Sequence, residues 1–336
     1  MRRLVRASHT TAAVLCTCLA FSGCTTGSAA PSVTTPTDRF QNALADVQHP
    51  MSELEQGAIE IQVGGAPHAP DWQADGFGSV WVSNEPKSLV QRIDPTTDRV
   101  VGSVHVTTPC AGMGSGYGSI WVPDCKDGAI VRIEPSTEKI TAVIRTPIAS
   151  DEGLIGVGAG GVWFLRSSSS LAMIDPSTNE ISRHVAVTSG SQAAIIGAGS
   201  VWVSSPPGSS VDRVDPTAGK VVETIDVGPS PLFMASGMGG VWVLNRSDGT
   251  VSRIDAATDR VTATIDAQSV GDGGCIAAGL GSVWVTIPGF PLTRIDPSTD
   301  EVTDQFVGQG GDCLSVAYGS VWLSNHELGN VWRIQP

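Results

Sequence analysis

The sequence predicts an all-β fold, a single seven-bladed β-propeller with four-stranded blades, on three observations. Tryptophan recurs at Trp81, Trp121, Trp163, Trp202, Trp242, Trp284 and Trp322, with gaps of 40, 42, 39, 40, 42 and 38 residues, the length of one propeller blade. A glycine stands three positions before each of them, at Gly78, Gly118, Gly160, Gly199, Gly239, Gly281 and Gly319. The chain stops at Arg333-Ile334-Gln335-Pro336, where the third strand of the seventh copy ends, while a spare strand, Ala58-Ile59-Glu60-Ile61-Gln62-Val63-Gly64, precedes the first copy. That spare strand matches fourth strands such as Glu223-Thr224-Ile225-Asp226-Val227-Gly228. Joining the two ends in a three-plus-one blade would remove the free edges that invite aggregation. Residues 57–336 number 280, seven times forty, and are expected to form one domain.

Residues 1–23 read as an export signal. Arg2, Arg3 and Arg6 precede an apolar stretch from Ala12 to Phe21, too short to span a bilayer, and small residues follow at Ser22 and Gly23. The run Leu19-Ala20-Phe21-Ser22-Gly23-Cys24 resembles a bacterial lipobox, with Phe21 where that motif prefers leucine. Acylation of Cys24 would hold the chain on the outer face of a membrane, since two acyl chains anchor where one only visits. Secretion after cleavage without lipid is the alternative. Residues 24–56 are expected to be a Ser/Thr/Pro-rich tether, with a short helix allowed between Asp38 and Gln56 by the spacing of Phe40, Leu44 and Val47.

Within a copy, an inner strand leads to the glycine pair and a second strand carries the tryptophan. A third ends in an Asp-Pro or Glu-Pro turn, as in Arg92-Ile93-Asp94-Pro95, and a fourth resembles Val100-Val101-Gly102-Ser103-Val104. The Gly-x-Gly sequence suits a tight hairpin, and proline after the acid presets a second turn. Anything present in every blade serves the blade. By that rule the seven tryptophans are spacers between blades. The arginines at 92, 132, 213, 253, 294 and 333 form surface or inter-blade ion pairs, with Met173 replacing the arginine in the third copy without visible rescue. The cluster Gly112-Met113-Gly114-Ser115-Gly116 lacks the strand-loop-helix setting and lysine of a phosphate cradle.

Copies such as Gly239-Gly240-Val241-Trp242-Val243-Leu244-Asn245, followed by Val251-Ser252-Arg253-Ile254-Asp255, resemble the repeats of YVTN-type bacterial surface propellers and of the streptogramin (virginiamycin B) lyase group. The resemblance covers all seven copies. In those lyases it implies a Mg²⁺ that polarises a carbonyl while a histidine abstracts the adjacent α-proton, opening a cyclic depsipeptide by elimination. The family's histidine and glutamate pattern does not map onto this chain. His68, His326 and Glu327 are the candidate catalytic residues.

Composition narrows the partners. Twenty basic against 33 acidic residues give a formal charge of −13, the wrong sign for a phosphate backbone, so nucleic acid is excluded. Where copies differ, a unique site can exist. Asp71, Asp151, Glu152, Asp272 and Asp312 lie ten to twelve positions before their tryptophans, in loops that converge on one mouth of the central channel. Closure would put Asp272, Asp312 and Asp71 on consecutive blades, where they are candidate ligands for Mg²⁺ or Ca²⁺, or for an amine. The bland alternative is a set of solvated loop acids. Past Cys24, the remaining four cysteines pair by phase. Cys275 and Cys313 each lie nine positions before their tryptophan in adjacent copies, and Cys110 and Cys125 flank the first two strands of copy two. The expected bridges are therefore Cys275–Cys313 and Cys110–Cys125.

The reading that follows is an extracytoplasmic, lipid-anchored platform whose acidic rim binds a protein, a peptide or a small cationic ligand, with the membrane touched only through the anchor. The alternative is a metal-dependent lyase or lactonase on the same rim. A quinone-dependent dehydrogenase is a third option without a docking signature.

Overall fold

The computed structural model describes residues 44–64, 69–268, 270–271 and 273–336. The export signal, Cys24, the tether up to residue 43, His68 and Asp272 lie outside the described residues. Seven antiparallel sheets form the seven blades, each built from one copy of the repeat. In blade 1 the strands are Gln73–Gly76, Ser79–Asn84, Leu89–Asp94 and Arg99–His105, paired in that order from channel to rim. The second strand of each blade is buried on both faces, because neighbouring blades cover it.

The repeated tryptophans are all 3% exposed or less and pack between sheets. Five of them donate their indole N–H to the carbonyl five residues earlier, as Trp202 does to Gly197 at 2.9 Å. The hairpin before each tryptophan asks more than the glycine alone suggests. In the first, both Phe77 (φ 53°) and Gly78 (φ 74°) are left-handed, as a two-residue type I′ turn requires. The residue before the glycine is therefore forced into the same region in every blade, at Phe77, Tyr117, Ala159, Ala198, Met238, Leu280 and Tyr318.

Five of the six blade arginines stitch blades together, while Arg294 pairs with Asp304 of its own blade. Each stacks on its own tryptophan, with guanidinium-to-ring distances of 4.9 to 5.9 Å. Arg92 reaches Glu138, Arg213 reaches Asp259 and Arg253 reaches Asp300, each on the next blade. Arg333 of blade 7 pairs with Asp98 of blade 1 at 2.8 Å, carrying the stitch across the chain ends. The loss at Met173 is rescued, contrary to the sequence expectation. Arg183, opposite Met173 on the fourth strand, donates to the Thr217 carbonyl of blade 4 at 2.9 Å.

Blade 7 has Leu314–Ala317, Ser320–Asn325 and Asn330–Ile334 from the end of the chain, and its outer strand is Ile59–Gln62, antiparallel to Asn330–Ile334. Ile61 packs with Trp322 and Val331 of blade 7 and with Val80, Val82 and Ile93 of blade 1. Of the segment expected as a tether, residues 44–56 are described. Ala45–Val47 is a 3-10 turn, and Gln48–Pro50 is a short strand parallel to Glu301–Val307, which makes blade 6 five-stranded. Met51–Gly57 is the helix. Pro50, extended at ψ 145°, cannot sit inside a helix and instead opens this one.

Candidate functional site

Inner strands run from the mouth to the hairpin turns, so the segments ahead of them ring one mouth of the channel. The position nine before each blade tryptophan sets a plug. Trp72 and Phe233, from blades 1 and 5, meet across the axis with ring centroids 5.9 Å apart. Cys275 and Cys313, at the same phase in blades 6 and 7, are disulfide-bonded with Cα atoms 4.8 Å apart. In blades 2 and 3, Gly112 and Leu154 form a bridge so close that a side chain at 112 would collide with Leu154. The second predicted bridge, Cys110–Cys125, is also present, with Cα atoms 5.8 Å apart.

The acids stand immediately above this plug. Asp71 is fixed from both sides: its N–H donates to the Ser83 carbonyl and its carbonyl accepts from Ser324 Oγ at 2.7 Å. Ser324 Oγ in turn accepts from Gln73 Nε2, and Gln73 Oε1 accepts from Ser315 Oγ, a buried polar chain joining blades 7 and 1. Asp312 is held by Cys313 and by Gly311, whose N–H donates to Asn325 Oδ1 at 2.9 Å. The Asp71 and Asp312 carboxyls face one another within hydrogen-bonding range. Burial, with Asp312 beside it, pushes the Asp71 carboxyl well above the usual carboxylate range; Glu152 and Glu85 add to the push. Burial also raises Asp312, against the Asp71 hydrogen bond and the field of His326, both of which favour its ionised form. The pair thus retains a proton more tightly than isolated aspartates do.

Glu152 leans in from blade 3. Its side chain keeps contact with solvent, yet desolvation by the rim, followed by Asp312 and Asp151, raises its pKa, and Arg246 opposes the shift. Asp151 is exposed beside it. Of the predicted residues, then, Asp71, Asp312 and Glu152 come together, with His326 near Asp312. Glu327 is exposed and accepts a hydrogen bond from Gln309 Nε2 at 2.8 Å. Asp312 Oδ1 lies 3.7 Å from where a Gly273 side chain would begin.

Among the described residues no three histidine, cysteine, aspartate or glutamate side chains converge within a metal's reach. Two donors complete the floor and wall. The Trp72 indole N–H and the Arg246 Nε–H are buried without an acceptor, and the Arg246 guanidinium lies 5.9 Å from the Phe233 ring centre. Sequence reasoning missed Trp72, Phe233 and Arg246. The phase would have found them: Trp72 and Phe233 share the offset of the Cys275–Cys313 pair, and Arg246 shares with His326 the fourth position after the blade tryptophan.

A closed seven-bladed propeller with a plugged channel and an acidic mouth is the class these features define. Its solved counterparts bear this out for the fold. A structure described as streptogramin B lyase is similar at 17% identity and a TM-score of 0.69, covering 82% of this chain and 96% of that one. Virginiamycin B lyase from Staphylococcus aureus is similar at 16% identity, 82% and 98% coverage and a TM-score of 0.69. BamB from Moraxella catarrhalis is similar at 11% identity, 78% and 81% coverage and a TM-score of 0.57. No known family profile and no curated protein matches the sequence.

Proposed function

We propose that this chain is an extracytoplasmic propeller, anchored by lipid at Cys24, whose acidic mouth binds the cationic group of a peptide, protein or small ligand. The observation that carries the reading is the Asp71–Asp312 pair set above Trp72 and Phe233. Two carboxyls that share a proton in a desolvated site are a receptor for an ammonium group, which brings the missing positive charge and its own donors. The aromatic floor favours the same guest. The unpartnered N–H groups of Trp72 and Arg246 offer hydrogen bonds to an acceptor beside that ammonium, as in a peptide or amino acid. A lyase resembling the structural neighbours would need a histidine and a metal acting together. His326 stands beside Asp312, and among the described residues no three metal-ligating side chains converge there.

A thermal-shift titration with 1,5-diaminopentane, a lysine-containing tetrapeptide, Mg²⁺ and Ca²⁺ tests this reading. Stabilisation by the amines is expected. Asp312→Asn should weaken it by roughly 10- to 100-fold in affinity, as loss of one charge-assisted hydrogen bond requires, while Glu327→Gln leaves it unchanged. A response to the divalent ions alone would replace the amine reading with the metal one.

A further inference from the structure

The connection from blade 6 to blade 7 presents Asp312 at the mouth, and it is built almost wholly from glycine: Gly308-Gln309-Gly310-Gly311-Asp312. Gly310 and Gly311 take φ values of 126° and 76°, where side chains are disfavoured. Glycine also loses more conformational freedom on ordering than any other residue, so this run has little of its own with which to hold an aspartate still. Packing supplies the restraint. A Cβ on Gly311 would sit 2.5 Å from Thr286 Oγ1 and 2.7 Å from Pro291 Cα, and one on Gly310 3.0 Å from Asn325 Oδ1. The Gly308 N–H donates to the Gly289 carbonyl at 3.1 Å, and the Gly311 N–H to Asn325 Oδ1. A further neighbour comes from outside the repeat. A Cβ on Gly308 would lie 2.7 Å from Met51 Cβ, and one on Gly310 3.2 Å from Met51 Cε.

Met51 is itself fixed. Immediately before it, Gln48–Pro50 pairs with Gln305, Phe306 and Val307, the residues that lead into the glycine run. Gln48 Nε2 donates to Gln305 Oε1 at 2.9 Å, and the fully buried Gln305 donates in turn to the Ala267 carbonyl. The His49 ring lies 5.4 Å from that of Phe306. After Met51, Leu54 is buried and Ile59–Gln62 becomes the outer strand of blade 7. Residues 48–62 are thus a strap tied to blade 6 at one end and blade 7 at the other, with Met51 seated on the loop between them. Six of the blades are complete with four strands, so the fold does not require the fifth strand of blade 6. One thing it does is seat Met51.

We propose that Met51 is a positioning residue for the acidic mouth: packed on Gly308 and Gly310, it holds the loop that presents Asp312 so that the Asp312 carboxyl meets Asp71. A binding constellation is only as exact as the residues that support it. The assignment rests on the preceding reading of the mouth as an ammonium receptor, and it makes the chain ahead of the ring part of that receptor's frame.

The test compares Met51→Ala, Met51→Leu and Ile61→Ala in the full-length chain, using calorimetric titration with 1,5-diaminopentane and hydrogen exchange of the ligand-free proteins. Met51 is half-buried, so both of its variants should fold. Met51→Ala should weaken amine binding roughly 10-fold, as loss of exact placement does, and speed exchange over residues 308–313. Met51→Leu keeps the apolar bulk and should restore both. Ile61, buried between blades 7 and 1, is the control: Ile61→Ala should lower the denaturation midpoint and leave amine affinity and exchange over 308–313 at the parent values. Met51→Ala binding the amine as tightly as the parent, or Ile61→Ala weakening binding as much as Met51→Ala does, would overturn the inference while leaving the mouth's affinity for amines intact. A parent that binds no diaminopentane would sink the reading of the mouth itself, and this inference with it.

Discussion

Ile61→Ala is the substitution that probes how the ring is closed. Ile61 is 2% exposed, on a strand that comes from the start of the domain, and packs between blade 7 and blade 1. Truncation removes three buried carbons, worth about 2.5 kcal/mol in transfer free energy. The residual cavity between Trp322, Val331, Val80 and Val82 adds about 1 kcal/mol, for a total loss of about 3 to 4 kcal/mol. Ile59 provides the internal control, since it lies two residues earlier on the same strand but is 40% exposed. Ile59→Ala should cost no more than about 1 kcal/mol. Equilibrium urea denaturation followed by tryptophan fluorescence measures both, with the seven blade tryptophans reporting on every interface. Equal losses in the two variants would mean that Ile61 is not clamped between blades, and the argument for closure by strand exchange would fail.

Other predictions address the pins and charges. In the chain-entropy account, removing the Cys275–Cys313 bridge, which spans 38 residues, costs about 3.9 kcal/mol, against about 3.0 kcal/mol for Cys110–Cys125, which spans 15. Denaturation midpoints of the two double-serine variants should fall in that order, and the reverse order would contradict it. The Asp71 carboxyl has a folded-state pKa above its unfolded one. Its contribution to stability is therefore fully present below the unfolded value and is lost as pH rises through the folded value. Asp71→Asn should accordingly be more stable than the parent at neutral pH, with the advantage shrinking toward about pH 4; a pH-independent difference in denaturation free energy would refute the buried-proton picture. Arg183→Met should open the seam between blades 3 and 4, raising proteolytic cleavage in the Asp215–Lys220 turn relative to the parent, whereas Arg145→Met on the mouth face should not.

What the sequence reveals is set by whether the cause is local or crosses the ring. Blade number, strand order and both disulfides are visible because each depends on phase within a repeat, and phase survives translation from one copy to the next. Cys275 and Cys313 could be paired on offset alone. The edge strand Gln48–Pro50 carries no such mark: it is three residues long, lies outside the repeat and is defined by pairing with residues some 257 positions away. Arg183 escaped notice because rescue came from the neighbouring strand instead of the expected position. The rim was half legible. Acids that break the repeat were recognisable as a set, but only the ring brings Asp71 against Asp312, and only the plug of Trp72 and Phe233 makes them a desolvated pair.

The shared proton is the point on which the binding proposal turns. Isothermal titration of 1,5-diaminopentane into the protein near neutral pH, in buffers of differing ionisation enthalpy, measures it directly. Net proton release on binding in the parent, absent in Asp71→Asn, is the predicted result. Binding of equal strength with no proton released, or release that persists in Asp71→Asn, would contradict it.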